Sequence, residues 1–204
     1  LTSEDKVWNF DFAVFWSEVE DYQFEKPTGT TDYFVDNAEE VEIFGFEVEI
    51  SGRPTDQLFI SLGYGLTDGE IKKHTSSSIV QTNVFPFFTI LNSDFAGADI
   101  PYSPEHTFSA SIDYLWSENL ISHLGVRNIG KVHYLDQTAT DTVNDSYTLL
   151  NASVSYLYND WGLNVFGTNL TDEEYYSSLV SSLSGVPGVV GSPRVIGLSI
   201  SKEF

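Results

Sequence analysis

The chain has 204 residues, with 30 Asp and Glu against nine Lys and Arg and a formal net charge of −21. That balance argues against nucleic-acid binding, which depends on basic side chains neutralising phosphates. The absence of Cys removes disulfides and thiolate metal sites; the lack of any run of about 18 apolar residues excludes a transmembrane helix, though not a barrel whose strands alternate.

The first residues, LTSEDKVWNF, have neither the basic nor the apolar region of a signal peptide, and the chain contains no Met. We therefore read it as a C-terminal fragment. In VWNFDFAVFWSE, Trp8, Phe10, Phe12, Val14 and Trp16 share one face of a strand, opposite Asn9, Asp11, Ala13 and Ser17, with Phe15 as an exception. A Trp near each end of such a face suits the two headgroup levels of a bilayer. After Lys26-Pro27-Thr28-Gly29, the residues Phe44, Phe46, Val48 and Ile50 alternate with Gly45, Glu47, Glu49 and Ser51. A turn is expected at Arg53-Pro54-Thr55-Asp56, followed by Leu58, Ile60, Leu62 and Tyr64 alternating with Ser61, Gly63 and Gly65.

Residues 75–103, rich in Ser, Thr, Asn and Phe, read as one long connection. Three further alternating runs follow, with Phe108, Ala110, Ile112 and Tyr114, then the strand from Leu120, then Leu150, Ala152, Val154 and Tyr156. Leu163 and Val165 carry the pattern on, and Ile196, Leu198 and Ile200 close it. Lys202 then stands where an apolar residue would fit the pattern, at an interfacial depth where a charge costs only about 0–1 kcal/mol.

Connections alternate in length: short at 53–56, 117–119 and 159–161, long at 26–32, 75–103, 136–145 and 181–192. An up-and-down meander inserted from one side of a membrane requires this, because periplasmic turns are short and extracellular loops long. The expected fold is all-β, an antiparallel transmembrane β-barrel segment of about eight strands. Two alternatives stay open: a self-contained small outer-membrane barrel with a structural or adhesion role, and a soluble glycan-binding β-sandwich.

Four motifs in order resemble the barrel of TonB-dependent outer-membrane receptors: DNAEEVEIFGFEVE (36–49), PYSPEHTFSASIDY (101–114), NVFGTNLTDEEYY (164–176) and GSPRVIGLSISKEF (191–204). The resemblance implies that residues 1–204 are the C-terminal part of a barrel of about 22 strands. It also implies a plug domain, a TonB-contacting segment and a signal peptide outside these residues. Such receptors take up a scarce nutrient, such as a ferric siderophore, cobalamin or a glycan, with energy relayed through the TonB complex. The expected partners are therefore outer-membrane lipid, the TonB complex, a small-molecule nutrient and the barrel assembly machinery, for which terminal Phe204 is the assembly signal. The location implied is the outer membrane of a Gram-negative bacterium.

No G-x-S-x-G, H-E-x-x-H, P-loop or strand-to-helix GxGxxG motif is present, so neither catalysis nor a cofactor is expected. The candidate ligand contacts are Phe85, Phe87, Phe88 and Phe95 in the long connection, with His74 and His133 near the extracellular rim. His123 and Arg127 share one strand face and point into the lumen, toward acidic neighbours, while His106 is expected to be structural. Asp136, Asp141 and Asp145 do not have the spacing of a calcium loop. Asp172, Glu173 and Glu174 read as a solvated acidic rim.

Overall fold

The computed structural model describes residues 8–27, 33–81, 83–133, 143–179 and 188–203. Eight strands form one antiparallel path: β1 (Trp8–Pro27), β2 (Tyr33–Thr55), β3 (Leu58–Lys73), β7 (His106–Ser117), β8 (Leu120–Ile129), β11 (Tyr147–Tyr158), β12 (Trp161–Thr168) and β15 (Val195–Lys202). Shorter pieces sit at one end. These are the hairpin β4 (Thr75–Gln81) with β5 (Phe88–Asp94), and β6 (Ala98–Asp99) beside β3. The ribbons β9 (Val132–His133) with β10 (Val143–Asn144), and β13 (Tyr176–Leu179) with β14 (Gly188–Val190), complete that end.

The register turns the sequence alternation into two faces. Because side chains alternate strictly along a strand, residues paired across the ladder share a face. One row, Trp8, Gly52, Ile60, Ile112, Leu124, Ala152, Gly167 and Ile196, crosses all eight strands and carries no polar side chain except the indole N–H. The neighbouring row on the other face reads Asn9, Ser51, Ser61, Ser111, Gly125 and Asn151. Large side chains of the apolar face, among them Phe12, Trp16, Val154, Leu198 and Ile200, are exposed. A sheet that exposes its hydrophobic side and keeps small polar residues on the other inverts the soluble pattern. It matches a wall between lipid and a wet interior.

Phe15, the exception in the alternation, lies on the polar face and covers the glycine paired with it, so that a Cβ at Gly45 would clash with the Phe15 ring. Phe166 covers Gly197 in the same way. In both places an aromatic ring shields a strand glycine that has no side chain of its own to pack.

The short connections are two-residue turns, Asp56-Gln57, Glu118-Asn119 and Asn159-Asp160, all at one end of the sheet. Asn159 has φ 50°, the left-handed conformation that tight hairpins use and Asn tolerates. The first turn falls later than the sequence suggested, since Arg53 and Pro54 remain within β2. The β2–β3 ladder is irregular between Gly52 and Thr55, so Pro54 sits where its missing N–H breaks no regular pair. The connection at 75–103 is likewise no plain loop, because it contains the β4–β5 hairpin and β6. Ile79 faces Ile90 and Thr75 faces Asp94 across that hairpin.

Candidate functional site: the long-loop rim

Strands β1 to β3 are longer than the roughly 9–11 residues a tilted strand needs to cross a bilayer, so they rise past the apolar belt. On the lipid-side face the belt ends at a row of carboxylates, Glu18, Glu42, Glu70 and Asp99, paired across four strands. Lys72 Nζ lies 2.7 Å from Glu70 and 3.8 Å from Glu42, and Lys73 pairs with Glu40. The hydrogen bond to Glu70 chiefly raises the Lys72 pKa above its ordinary value, and the bond to Glu40 does the same for Lys73. Both lysines therefore stay charged and paired at any physiological pH.

Beyond this line the chain folds over its own strand ends. Ala38, Val41, Ile71, Phe95, Ala98 and Ile100 form a buried cluster, with Tyr22 and Ile43 packed against it. Phe95 is only 8 % exposed. Its N–H donates to the His74 carbonyl at 2.9 Å, and its ring lies 5.5 Å from that imidazole, which is itself 4 % exposed. Of the residues singled out in the sequence, these two thus clamp the base of the β4–β5 hairpin instead of presenting surface.

The tip is the reverse. Phe85 is 82 % exposed, Val84, Phe87 and Ile90 are also exposed, and the Phe85 and Phe87 rings meet edge to face at 5.9 Å. Phe88 opens β5 opposite Gln81. The structure therefore separates Phe95 at the base from Phe85 and Phe87 at the tip.

His133 lies elsewhere on the rim. Its Nε2 is 3.2 Å from Asp99 Oδ2, and its carbonyl accepts the Tyr102 N–H at 2.7 Å. With Thr67, Asp68, Ser103, Glu105 and Lys131 it lines a cavity of about 210 Å³ that carries charges of both signs. Within the wall, His123 Nδ1 is 2.7 Å from Asp113, as its strand face suggested. Arg127 faces Ser109 and Leu149 across the ladder, not a carboxylate. The His106 carbonyl accepts the Gly130 N–H at 2.8 Å, a backbone role. Asp136, Asp141 and Phe204 lie outside the described residues.

Sequence reasoning missed the residue that ties this rim together. Asn169 is 4 % exposed, and its Nδ2 donates to the carbonyls of Glu173 and Ser192 at 2.9 and 3.0 Å. Its Oδ1 accepts the Glu173 N–H at 2.9 Å, and its own N–H donates to Asn151 Oδ1 at 2.9 Å. Asp172, expected to be a solvated acid, is exposed, and it also accepts the Arg194 N–H at 3.1 Å and lies 3.3 Å from that guanidinium. Two of the four motifs, around 164–176 and 191–204, therefore meet in a knot that fixes the start of β15 against β11 and β12. The signal was the motif itself, since an Asn and an Asp flanking Leu170 and Thr171 are suited to local turns.

An antiparallel meander with an outward apolar belt, a small-residue polar face and a side-chain-packed rim above short opposite turns defines a segment of transmembrane β-barrel wall. The family model described as TonB dependent receptor-like, beta-barrel matches residues 3–170, and the chain belongs to that family. It is accordingly a protein of the Gram-negative outer membrane. The catecholate siderophore receptor Fiu of Escherichia coli K12 is 25% identical over 197 residues, which is 94% of this chain and 23% of that receptor. The ferric-pyoverdine M114 receptor PbuA of Pseudomonas sp. M114 is 25% identical over 173 residues, 82% of this chain and 19% of that receptor. Among solved structures, the ferric yersiniabactin uptake receptor FyuA from Yersinia pestis superposes with a TM-score of 0.74 over 97% of this chain and 28% of that one, at 18% identity, a likeness of fold. The chain thus spans about a quarter of the length of the curated relatives it matches.

Proposed function

We propose that residues 1–204 form the C-terminal wall and part of the outer rim of a receptor that takes up a ferric siderophore, energised by the TonB complex acting on a plug region outside these residues. The process is binding and passage, not catalysis. The observation that carries this reading is the rim hairpin: a buried base at Phe95 and His74 holds an exposed aromatic tip, Phe85 and Phe87, above the lipid belt. Relatives along the chain are named for catecholate and pyoverdine ferric ligands, whose aromatic groups suit aromatic side chains. Phe88 and the His133 side of the rim complete the contact surface. Phe204 serves the assembly machinery and not the ligand.

The test is uptake of radiolabelled ferric siderophores, of catecholate and of mixed chelate type, by cells carrying the intact receptor as their only receptor of this family. Iron accumulation that depends on both the receptor and TonB is expected, with the Phe85→Ala/Phe87→Ala pair weakening binding about tenfold. Receptor-dependent growth on cobalamin or a glycan, with no receptor-dependent iron accumulation, refutes the siderophore reading.

A further inference from the structure

Strand β3 pairs with β7 up to Leu66 and with β6 from Glu70 onward, so residues 67–69 have no strand partner on that side. The chain frames this opening with backbone bonds. The Ile100 N–H donates to the Gly69 carbonyl at 2.9 Å, the Thr67 N–H to the Glu105 carbonyl at 2.8 Å, and the Tyr102 N–H to the His133 carbonyl at 2.7 Å. The result is the cavity of about 210 Å³, far more than one water fills. Gly69 and Ile100 are buried in its lining, and the Asp99–His133 pair belongs to it. Three further charged residues of the lining, Asp68, Glu105 and Lys131, are exposed, and none makes an ion pair or a side-chain hydrogen bond among the described residues. Opposite charges that share a cavity without closing on each other leave Coulomb attraction unused. We propose that this cavity binds a primary ammonium carried a few bonds from a phosphate, the ammonium toward Asp68 and Glu105 and the phosphate toward Lys131.

Donor and acceptor chemistry selects the two groups. Ionised carboxylates only accept hydrogen bonds and an ammonium only donates them, three at a time, so two carboxylates suit one ammonium. Lysine binds phosphate as a point charge, and Thr67 and Ser103, in the same lining, bring O–H donors for phosphate oxygens. Carboxylates outnumber cations around the opening, which repels a lone anion, while Lys131 repels a lone amine; a molecule with both ends meets neither penalty. Lys72, close by on β3, is committed to Glu70 and Glu42. Among the described residues no three His, Asp or Glu side chains converge as metal ligands, which sets a metal ion aside. Asp68 stands in the outward row of Trp16 and Phe44, at the upper edge of the apolar belt, so a phospholipid headgroup and a dissolved molecule both reach the opening. The inference is independent of the nutrient that the receptor takes up.

The experiment uses the intact receptor in two arms and involves no uptake, so it fails or succeeds separately from the siderophore reading. In detergent, calorimetry measures binding of phosphoethanolamine; in nanodiscs of phosphatidylcholine with graded phosphatidylethanolamine, native mass spectrometry counts retained lipids. The wild type is expected to hold phosphoethanolamine about tenfold more tightly than ethanolamine or inorganic phosphate. Lys131→Gln and the pair Asp68→Asn/Glu105→Gln should each weaken it about tenfold, Lys131→Arg should keep it, and Lys73→Gln should leave it unchanged. Should Lys131→Gln fail to assemble, the carboxylate pair asks the same question. Retention of phosphatidylethanolamine over phosphatidylcholine that is lost in the variants assigns the site to a lipid headgroup, and binding of the soluble probe alone assigns it to a free molecule. Absence of binding in both arms overturns the site. So does binding that the variants leave unchanged, or equal affinity for ethanolamine or phosphate alone.

Discussion

The two ends of this sheet solve the same problem, how to end a membrane wall, by different means. At the short-turn end the backbone does most of it. The carbonyls of Gln57, Asn119 and Asp160 accept N–H groups from Leu115 and Leu157 on the next strand and from Glu203 just past β15 at 2.8–2.9 Å, and rings such as Trp116 and Trp161 mark the lipid boundary. At the long-loop end side chains are added to such backbone bonds: a buried apolar cluster, lysines paired with carboxylates and the Asn169 knot. The contrast follows from solvent. Where lipid headgroups supply a boundary, few specific contacts are needed, whereas segments that reach into water must build a small core of their own to hold a shape.

The sharpest way to break this contrast is Phe95→Ala. Truncating a buried Phe costs about 3–5 kcal/mol, and here the loss should stay at the rim as local opening. Hydrogen exchange on the intact receptor should then show Thr75–Gln81 and Phe88–Asp94 losing protection while β11, β12 and β15 keep theirs. Uniform loss across the wall would show that rim and wall are one cooperative unit.

A second test probes the belt. Val154 lies on the outward face between Ser122 and Val165, deep within the lipid-side rows. Val154→Arg should destabilise the receptor by about 2–4 kcal/mol in vesicles, whereas Tyr158→Arg, at the interface, should cost about 0–1. Equal effects on the urea unfolding midpoint would mean that the apolar face does not meet hydrocarbon at these depths.

The wall was legible because a period-two pattern needs only neighbouring residues to reveal it, and the register confirmed it row by row, from Trp8 to Ile196. Even Phe15, which breaks the pattern, resolves once Gly45 is seen opposite it. The rim was legible only in outline. Phe85 and Phe95 look alike in the sequence, and what separates them is whether Ala38, Val41 and Ile71, distant along the chain, lie underneath. The Asp99–His133 pair and the Asp172–Arg194 pair are equally non-local. No local spacing encodes such partners, so candidate residues drawn from loops were a mixture of surface and support.

Asn169 gives the smallest of the three effects and the most specific one. Its side chain makes three hydrogen bonds from a buried position, and its φ of 48° lies in the left-handed region that Asn tolerates better than most residues. With each bond contributing about 0.5–1.5 kcal/mol net, Asn169→Ala should cost about 2 kcal/mol. Asn169→Asp separates the contributions: it keeps the acceptor for the Glu173 N–H but replaces the two donated bonds to the Glu173 and Ser192 carbonyls with an electrostatic conflict. It should therefore be no more stable than Ala, and Asn169→Gly, which relieves backbone strain but makes none of the side-chain bonds, should fall between Ala and the wild type. The measurement is the denaturation midpoint of the intact receptor, read by its loss of heat-modifiable mobility on gels. If Asn169→Gly matched the wild type, backbone conformation alone would account for the residue, and the knot between the two motifs would not be what holds β15 in register.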